Sequence, residues 1–142
     1  MTIARMIEGR SGEIVSCQTT TPVSEAVALL AQRRIGALPV HEQGKVVGIF
    51  SERDVIYQLE AQGTAFLSRP VGEVMTSPPI TVTLDTEVLS ALALMTRRRL
   101  RHLPVLENER MVAFISIGDL VKHRIDRIES EAEAMRAYIQ AA

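Results

Sequence analysis

Gly48-Ile49-Phe50-Ser51-Glu52-Arg53-Asp54 returns 65 residues later as Ala113-Phe114-Ile115-Ser116-Ile117-Gly118-Asp119. In both places an apolar run ends on Ser, and Asp follows three residues on. Working outward without a gap, Val15–Val55 lies over Ile80–Leu120, with 14 of 41 pairs identical. Leu38-Pro39-Val40 falls on Leu103-Pro104-Val105, and Arg33-Arg34 falls on Arg98-Arg99. Two copies of one unit are too few for a solenoid and suit a pair related by a pseudo-twofold axis.

Each copy reads as β-α-β-β-α. Short strands are expected at Ile14–Gln18 and Ile80–Thr83. Thr21 before Pro22 is a good helix start, echoed by Thr86-Glu87. Apolar residues then recur at helical spacing: Val23, Ala26, Val27 and Leu30, matched by Val88, Ala91, Leu92 and Met95. Hairpins are expected around Gln43-Gly44 and Asn108, each followed by a second helix. The expected organisation is a first unit over residues 11–62, a linker over 63–75, a second unit over 76–124 and a helical extension over 125–142. In the extension Val121, Ile125, Ile128, Ala132, Met135 and Ile139 fall at spacings of 4, 3, 4, 3 and 4, a heptad-like seam.

Composition excludes several classes. The chain has 142 residues and 46% hydrophobic content, enough for a real core. Its 16 basic and 17 acidic residues give a net charge of −1, so no basic excess points to nucleic acid. One cysteine, Cys17, forbids an internal disulfide, and with three histidines it makes a zinc site unexpected. No apolar run is long enough to span a membrane, and no signal-peptide core is present; a soluble, cytoplasmic protein is expected. Standard nucleotide-loop, hydrolase and metalloprotease motifs are missing, so an enzyme is not expected. Cys17 reads as a small buried hydrophobe, and His41 and His123 as solvated side chains. Arg97–Arg99 read as a solvated helix end.

The Ser-x-x-Asp pairs have two readings. Ser as N-cap with an acid three residues on is a capping box. The same helix N-terminus offers free N–H groups to a phosphate, and an Asp one turn on suits a ribose diol.

Taken together, Ile35-Gly36-Ala37-Leu38-Pro39-Val40, the Ser51–Asp54 stretch, Val74-Met75-Thr76, Arg101-His102-Leu103-Pro104-Val105 and the Ser116–Asp119 stretch resemble a tandem of cystathionine-β-synthase (CBS) domains. This unit is called a Bateman module and is found in bacterial stand-alone CBS-pair proteins. The resemblance covers about residues 11–124. It implies an α/β fold of two β-α-β-β-α repeats and a regulatory, non-catalytic module that binds an adenine nucleotide in the cleft between the copies. AMP is the expected ligand, with NAD(H), ADP or ATP as alternatives; S-adenosylmethionine, a cation, is disfavoured. The resemblance gives Asp54 and Asp119 the ribose, and Ser51 and Ser116 the phosphates. Thr76, with Ser11 in the same role in the first copy, faces the nucleotide beside Ile80. Arg101 and His102 are implied phosphate ligands, and backbone around Ile35, Gly36, Ala37, Leu38 and Leu103 an adenine slot. The first copy has Gly36 and Ala37 where the second has Arg101 and His102, with Arg53 as local compensation. The second has Ala113 where the family has Gly. Two unequal sites follow. A homodimer, stacked as a disc with the C-terminal helix taking part, and an unidentified regulated protein are the implied partners. The competing reading is a nucleotide-free interaction scaffold in which the Ser-x-x-Asp pairs only cap.

Overall fold

The computed structural model describes residues 1–10 and 12–141. Its elements run α1 (Ile3–Met6), β1 (Cys17–Gln18), α2 (Val23–Arg33), β2 (Ala37–Glu42), β3 (Lys45–Ser51) and α3 (Glu52–Gln62). Two 3-10 turns follow, Gly63–Ser68 and Val71–Glu73. Then come β4 (Val82–Thr83), α4 (Val88–Arg98), β5 (His102–Glu107), β6 (Arg110–Ser116) and α5 (Ile117–Ala141). The α/β architecture of two β-α-β-β-α repeats and the long last helix are as the sequence implies. Among the described residues no helix is long and apolar enough to cross a membrane.

Each repeat forms its own three-stranded sheet, β1-β2-β3 and β4-β5-β6. The first strand of each is parallel to the second, and the hairpin is antiparallel. Registers match across the 65-residue shift: Leu38 pairs with Phe50 as Leu103 pairs with Ile115. Proline is tolerated in the middle strands because β1 and β4 are so short. They pair only from Val40 and Val105 onward, beyond Pro39 and Pro104. Both hairpins turn through two residues of positive φ, Gln43-Gly44 and Asn108-Glu109, the turn that matches strand twist.

The opening strands are shorter than the composition suggests. Thr21 and Thr86 do not cap the helices; their hydroxyls accept from the backbone N–H of Gln18 and Thr83 at 3.0 and 3.1 Å. They close the bend between strand and helix, and Pro22 and Glu87 hold the N-cap positions. Arg34 and Arg99 end α2 and α4 in the left-handed conformation.

The segment read as a linker belongs to a core. Phe66, Val71 and Val74 are buried with Val23, Ala26, Leu38, Val40 and Phe50 of the first repeat. The chain start does the same for the second. Ile3 is fully buried among Val88, Ala91, Met95, Leu103 and Leu120. The hydrogen bonds correspond pairwise. Val71 N–H donates to Thr21 O and Ile3 N–H to Thr86 O; Gly72 N–H donates to Thr19 O and Ala4 N–H to Leu84 O. Each repeat is thus completed by the arm that precedes the other one.

Candidate functional site

The two repeats meet with β3 near β6, and two clefts open between them. One, about 320 Å³, is lined by Ser51, Arg53, Asp54, Tyr57, Thr76, Pro78, Pro79, Ile80 and Leu100–His102. The other, about 400 Å³, is lined by Ile7, Arg10, Glu13–Val15, Ile35, Ala37, Phe114, Ser116 and Asp119. Each therefore joins the Ser-x-x-Asp of one repeat to the opening segment and second strand of the other. Ala37 and His102 line both.

At the start of α3, Ser51 and Asp54 form a full capping box. The Ser51 backbone N–H donates to Asp54 Oδ2 at 2.9 Å, and the Asp54 N–H donates to Ser51 Oγ at 3.3 Å. The other carboxylate oxygen, Oδ1, accepts from the Thr76 hydroxyl at 2.9 Å. Thr76 is placed by backbone bonds to β3: Ile49 N–H donates to Thr76 O at 3.0 Å, and Thr76 N–H to Ile49 O at 2.9 Å. Only glycine permits this approach at residue 48, since a Cβ there would lie 2.9 Å from Thr76 O. At α5, Ser116 N–H donates to Asp119 Oδ2 at 2.9 Å, and Asp119 N–H to Ser116 Oγ at 3.1 Å. Both pairs cap, and both carboxylates also reach a cleft.

The charges are divided unevenly. Arg53, Arg98, Arg99 and Arg101 stand against Glu52 and Asp54 along the Asp54 cleft. In the Asp119 cleft one arginine, Arg10, stands against Glu13 and Asp119, and its guanidinium lies 3.7 Å from Asp119 Oδ2. Arg53 does not compensate for the missing charges of the first copy. It lines the same cleft as Arg101 and donates to Arg99 O, at the C-terminal end of α4, at 3.2 Å. Nor are Arg98 and Arg99 a purely solvated helix end, because they form a wall of that cleft.

His102 stacks on Phe114 with ring centroids 5.4 Å apart. Burial pushes its pKa down; nearby Asp119 and Glu52 pull it up, and Arg101 pushes it down again. The net shift is downward, towards the neutral ring.

Of the other expected residues, Ser51, Arg53, Thr76, Ile80, Gly36 and Arg101 come together in the Asp54 cleft. Ile35 and Ser116 lie in the Asp119 cleft. Ser11 lies outside the described residues. Leu38 and Leu103 do not line either cleft; their side chains are fully buried in the two cores, because strand alternation turns them inward. Arg10, Glu13, Tyr57 and Phe114 were not anticipated. Cys17 is buried, and burial pushes its thiol up to about 11, with Glu25 adding to the shift. His41 and His123 are half-buried rather than fully solvated: burial lowers the pKa of His41, and His123 Nε2 is buried without a hydrogen-bond partner.

The CBS domain model matches residues 10–61 and 71–126. The chain belongs to the CBS-domain family. The mitochondrial CBS domain-containing protein CBSX3 of Arabidopsis thaliana is 39% identical over 134 residues, covering 91% of this chain and 65% of that protein. The chain thus spans just under two thirds of that relative's length. YhcV of Bacillus subtilis is 28% identical, with 87% and 86% covered. Among solved structures, the CBS-domain protein ATU1752 of Agrobacterium tumefaciens superposes with a TM-score of 0.82 at 33% identity, covering 87% of this chain and 99% of that one. Two more distant pairs share the fold. CBSX2, solved in complex with AMP, has a TM-score of 0.74 at 23% identity, with 88% and 96% covered. The pair from MJ0100, solved with methylthioadenosine and S-adenosylmethionine, has a TM-score of 0.76 at 22% identity, with 89% and 98% covered.

Proposed function

We propose that this CBS pair is a regulatory, non-catalytic module that binds an adenine nucleotide of the AMP type, and that the Asp54 cleft is its principal site. The observation that carries the reading is the Asp54 carboxylate, fixed at a helix start and bonded to Thr76, in a cleft that also holds Arg101. Such a carboxylate accepts from a ribose diol, and Arg101 and the α3 N-terminus attract phosphate. A cavity of about 320 Å³ is in the range of small-molecule sites. That CBSX2 and the MJ0100 pair were solved with adenosine-bearing ligands supports the ligand class. NAD(H), ADP and ATP fit the same chemistry. Exposed Ile56, Leu59 and Leu89 support a homodimer that covers this apolar surface, and occupancy of the cleft would be passed to a regulated protein through shape.

Titration calorimetry with AMP and with adenosine tests the reading. Arg101→Ala weakens AMP by roughly 1.5–3 kcal/mol, the worth of a charge-assisted bond, and leaves adenosine nearly unchanged. Equal losses for both ligands would remove Arg101 from the phosphate. No binding of AMP, ADP, ATP or NADH would leave the interaction scaffold as the function.

A further inference from the structure

The seam along α5 is not used by its own module. Val121, Ile125, Ile128, Met135 and Ile139 are 43%, 49%, 49%, 61% and 65% exposed. The side of the helix with His123, Asp126 and Arg127 faces Met1, with Glu131 at its edge in an exposed ion pair to Arg127 at 3.6 Å. A helix with an apolar stripe held in water needs a partner for it. The heptad positions flanking the stripe say which partner and which direction. With Ile125, Ala132 and Ile139 at a and Val121, Ile128 and Met135 at d, the g positions are Arg124, Glu131 and Tyr138, and the e positions are Lys122, Glu129 and Arg136.

In a parallel pair each g residue faces the e residue five places on in the other strand. Arg124 then meets Glu129 of the second copy, and Glu131 meets Arg136. Both pairs are opposite in sign, and symmetry makes four. In a fully overlapped antiparallel pair, e faces e and g faces g. Lys122 would meet Arg136, Glu129 would meet Glu129, and Glu131 would meet Glu131. All three are like-charge pairs, which are destabilising. We propose that α5 is an interaction surface for a second copy of this chain, and that the two helices wind in parallel with both modules at the same end. The proposal does not depend on nucleotide binding.

The full chain tests it in two ways. Met135→Cys places a thiol at a d position, and in a parallel pair the two copies of residue 135 face each other, within disulfide reach. In the antiparallel pair they are ten residues apart along the helix, roughly 15 Å, too far to bridge. The native Cys17 is buried and does not compete. Mild oxidation is expected to yield a covalent dimer on a non-reducing gel. Sedimentation equilibrium supplies the second readout. Glu131→Arg weakens the dimer by about tenfold, a swing of several helix-surface ion pairs, and adding Arg136→Glu restores it. A chain that stays monomeric up to its solubility limit overturns the proposal. So does a dimer that neither crosslinks through residue 135 nor responds to Glu131→Arg, since that dimer is antiparallel or built on another face.

Discussion

The Asp54 cleft and the Asp119 cleft are built from the same parts, yet their electrostatics are opposed. The first gathers four arginines against two carboxylates; the second sets Arg10 against two. The difference arises at a few positions of the repeat. Arg101 stands where the first copy has Gly36, and Arg53 where the second has Gly118. Because each cleft draws on both copies, these two arginines reinforce one site instead of being shared out. Repetition supplies the scaffold; two substitutions, and the placing of Arg98 and Arg99 in a cleft that their counterparts Arg33 and Arg34 do not line, supply the difference in charge. Asp119 differs in a further way: its Oδ2 already has Arg10 at 3.7 Å, so a diol arriving there competes with a cation.

The sharpest way to break the comparison is to remove each carboxylate in turn. Asp54→Asn should weaken AMP by roughly 1.5–3 kcal/mol, more than tenfold, while folding stays nearly intact because Ser51 remains the N-cap and an Asn Oδ1 still accepts from the Ser51 N–H. Asp119→Asn should leave AMP within a few-fold of wild type. Calorimetry that gives equal losses for the two would make the clefts equivalent and defeat the assignment.

A smaller effect should come from pH, through the ring shared by both clefts. In the free protein burial holds His102 below its ordinary value of 6.5. A phosphate beside it favours the protonated form, so the bound pKa is the higher one. The His102 contribution to AMP affinity should therefore rise as pH falls from 7.5 towards 5.5, by at most about tenfold per pH unit, against the loss of charge on the AMP phosphate, whose second pKa is about 6. Calorimetric heats should vary with buffer, reporting proton uptake. Folding has the opposite sign. A depressed histidine contributes stability that is full above 6.5 and is lost as pH falls towards the folded value. His102→Gln should remove this contribution from both profiles. A wild-type AMP profile no different from that of His102→Gln would place His102 away from phosphate.

The smallest expected effect lies in the hairpins. Gly44 and Glu109 occupy the same turn position with φ of 79° and 65°. Glutamate there is strained where glycine is not. Glu109→Gly should raise stability by about 0.5–1 kcal/mol in thermal denaturation. The contact it gives up, Lys45 at 3.8 Å, joins two exposed side chains and contributes little. A destabilised variant would mean that this turn is held by something other than backbone preference.

Much of the fold was legible because it rests on local pattern. Leu38-Pro39-Val40 and its copy mark the middle strands, and the apolar spacing of Val88, Ala91 and Met95 marks a helix. The arms were not legible. Thr2–Ile7 corresponds to Pro70–Met75 at a shift of 68, not 65, and shares no identical residue with it. Only the apolar positions agree, Ile3 with Val71, Met6 with Val74 and Ile7 with Met75. The three extra residues before the first strand bring Arg10 to Asp119, a contact that no motif announces. Which Asp faces which strand was equally hidden, because that pairing is made only when the repeats meet. At Leu38 and Leu103 the motif places only backbone at the ligand, and strand alternation turns the side chains into the two cores.

The exchange of arms also sets an order of events during synthesis. The arm at residues 69–75 is made after the helix and strands that it covers, so the first repeat can close as soon as it appears. Ile3, Met6 and Ile7 are made before any of their own surface exists. That surface is finished only with Leu120, about 110 residues later, which is several seconds or more at roughly 5–20 residues per second. For that interval the arm lacks the surface that buries it, and the second repeat remains incomplete until residues 3–7 turn back to it. The second repeat is therefore closed by residues made well before its own strands.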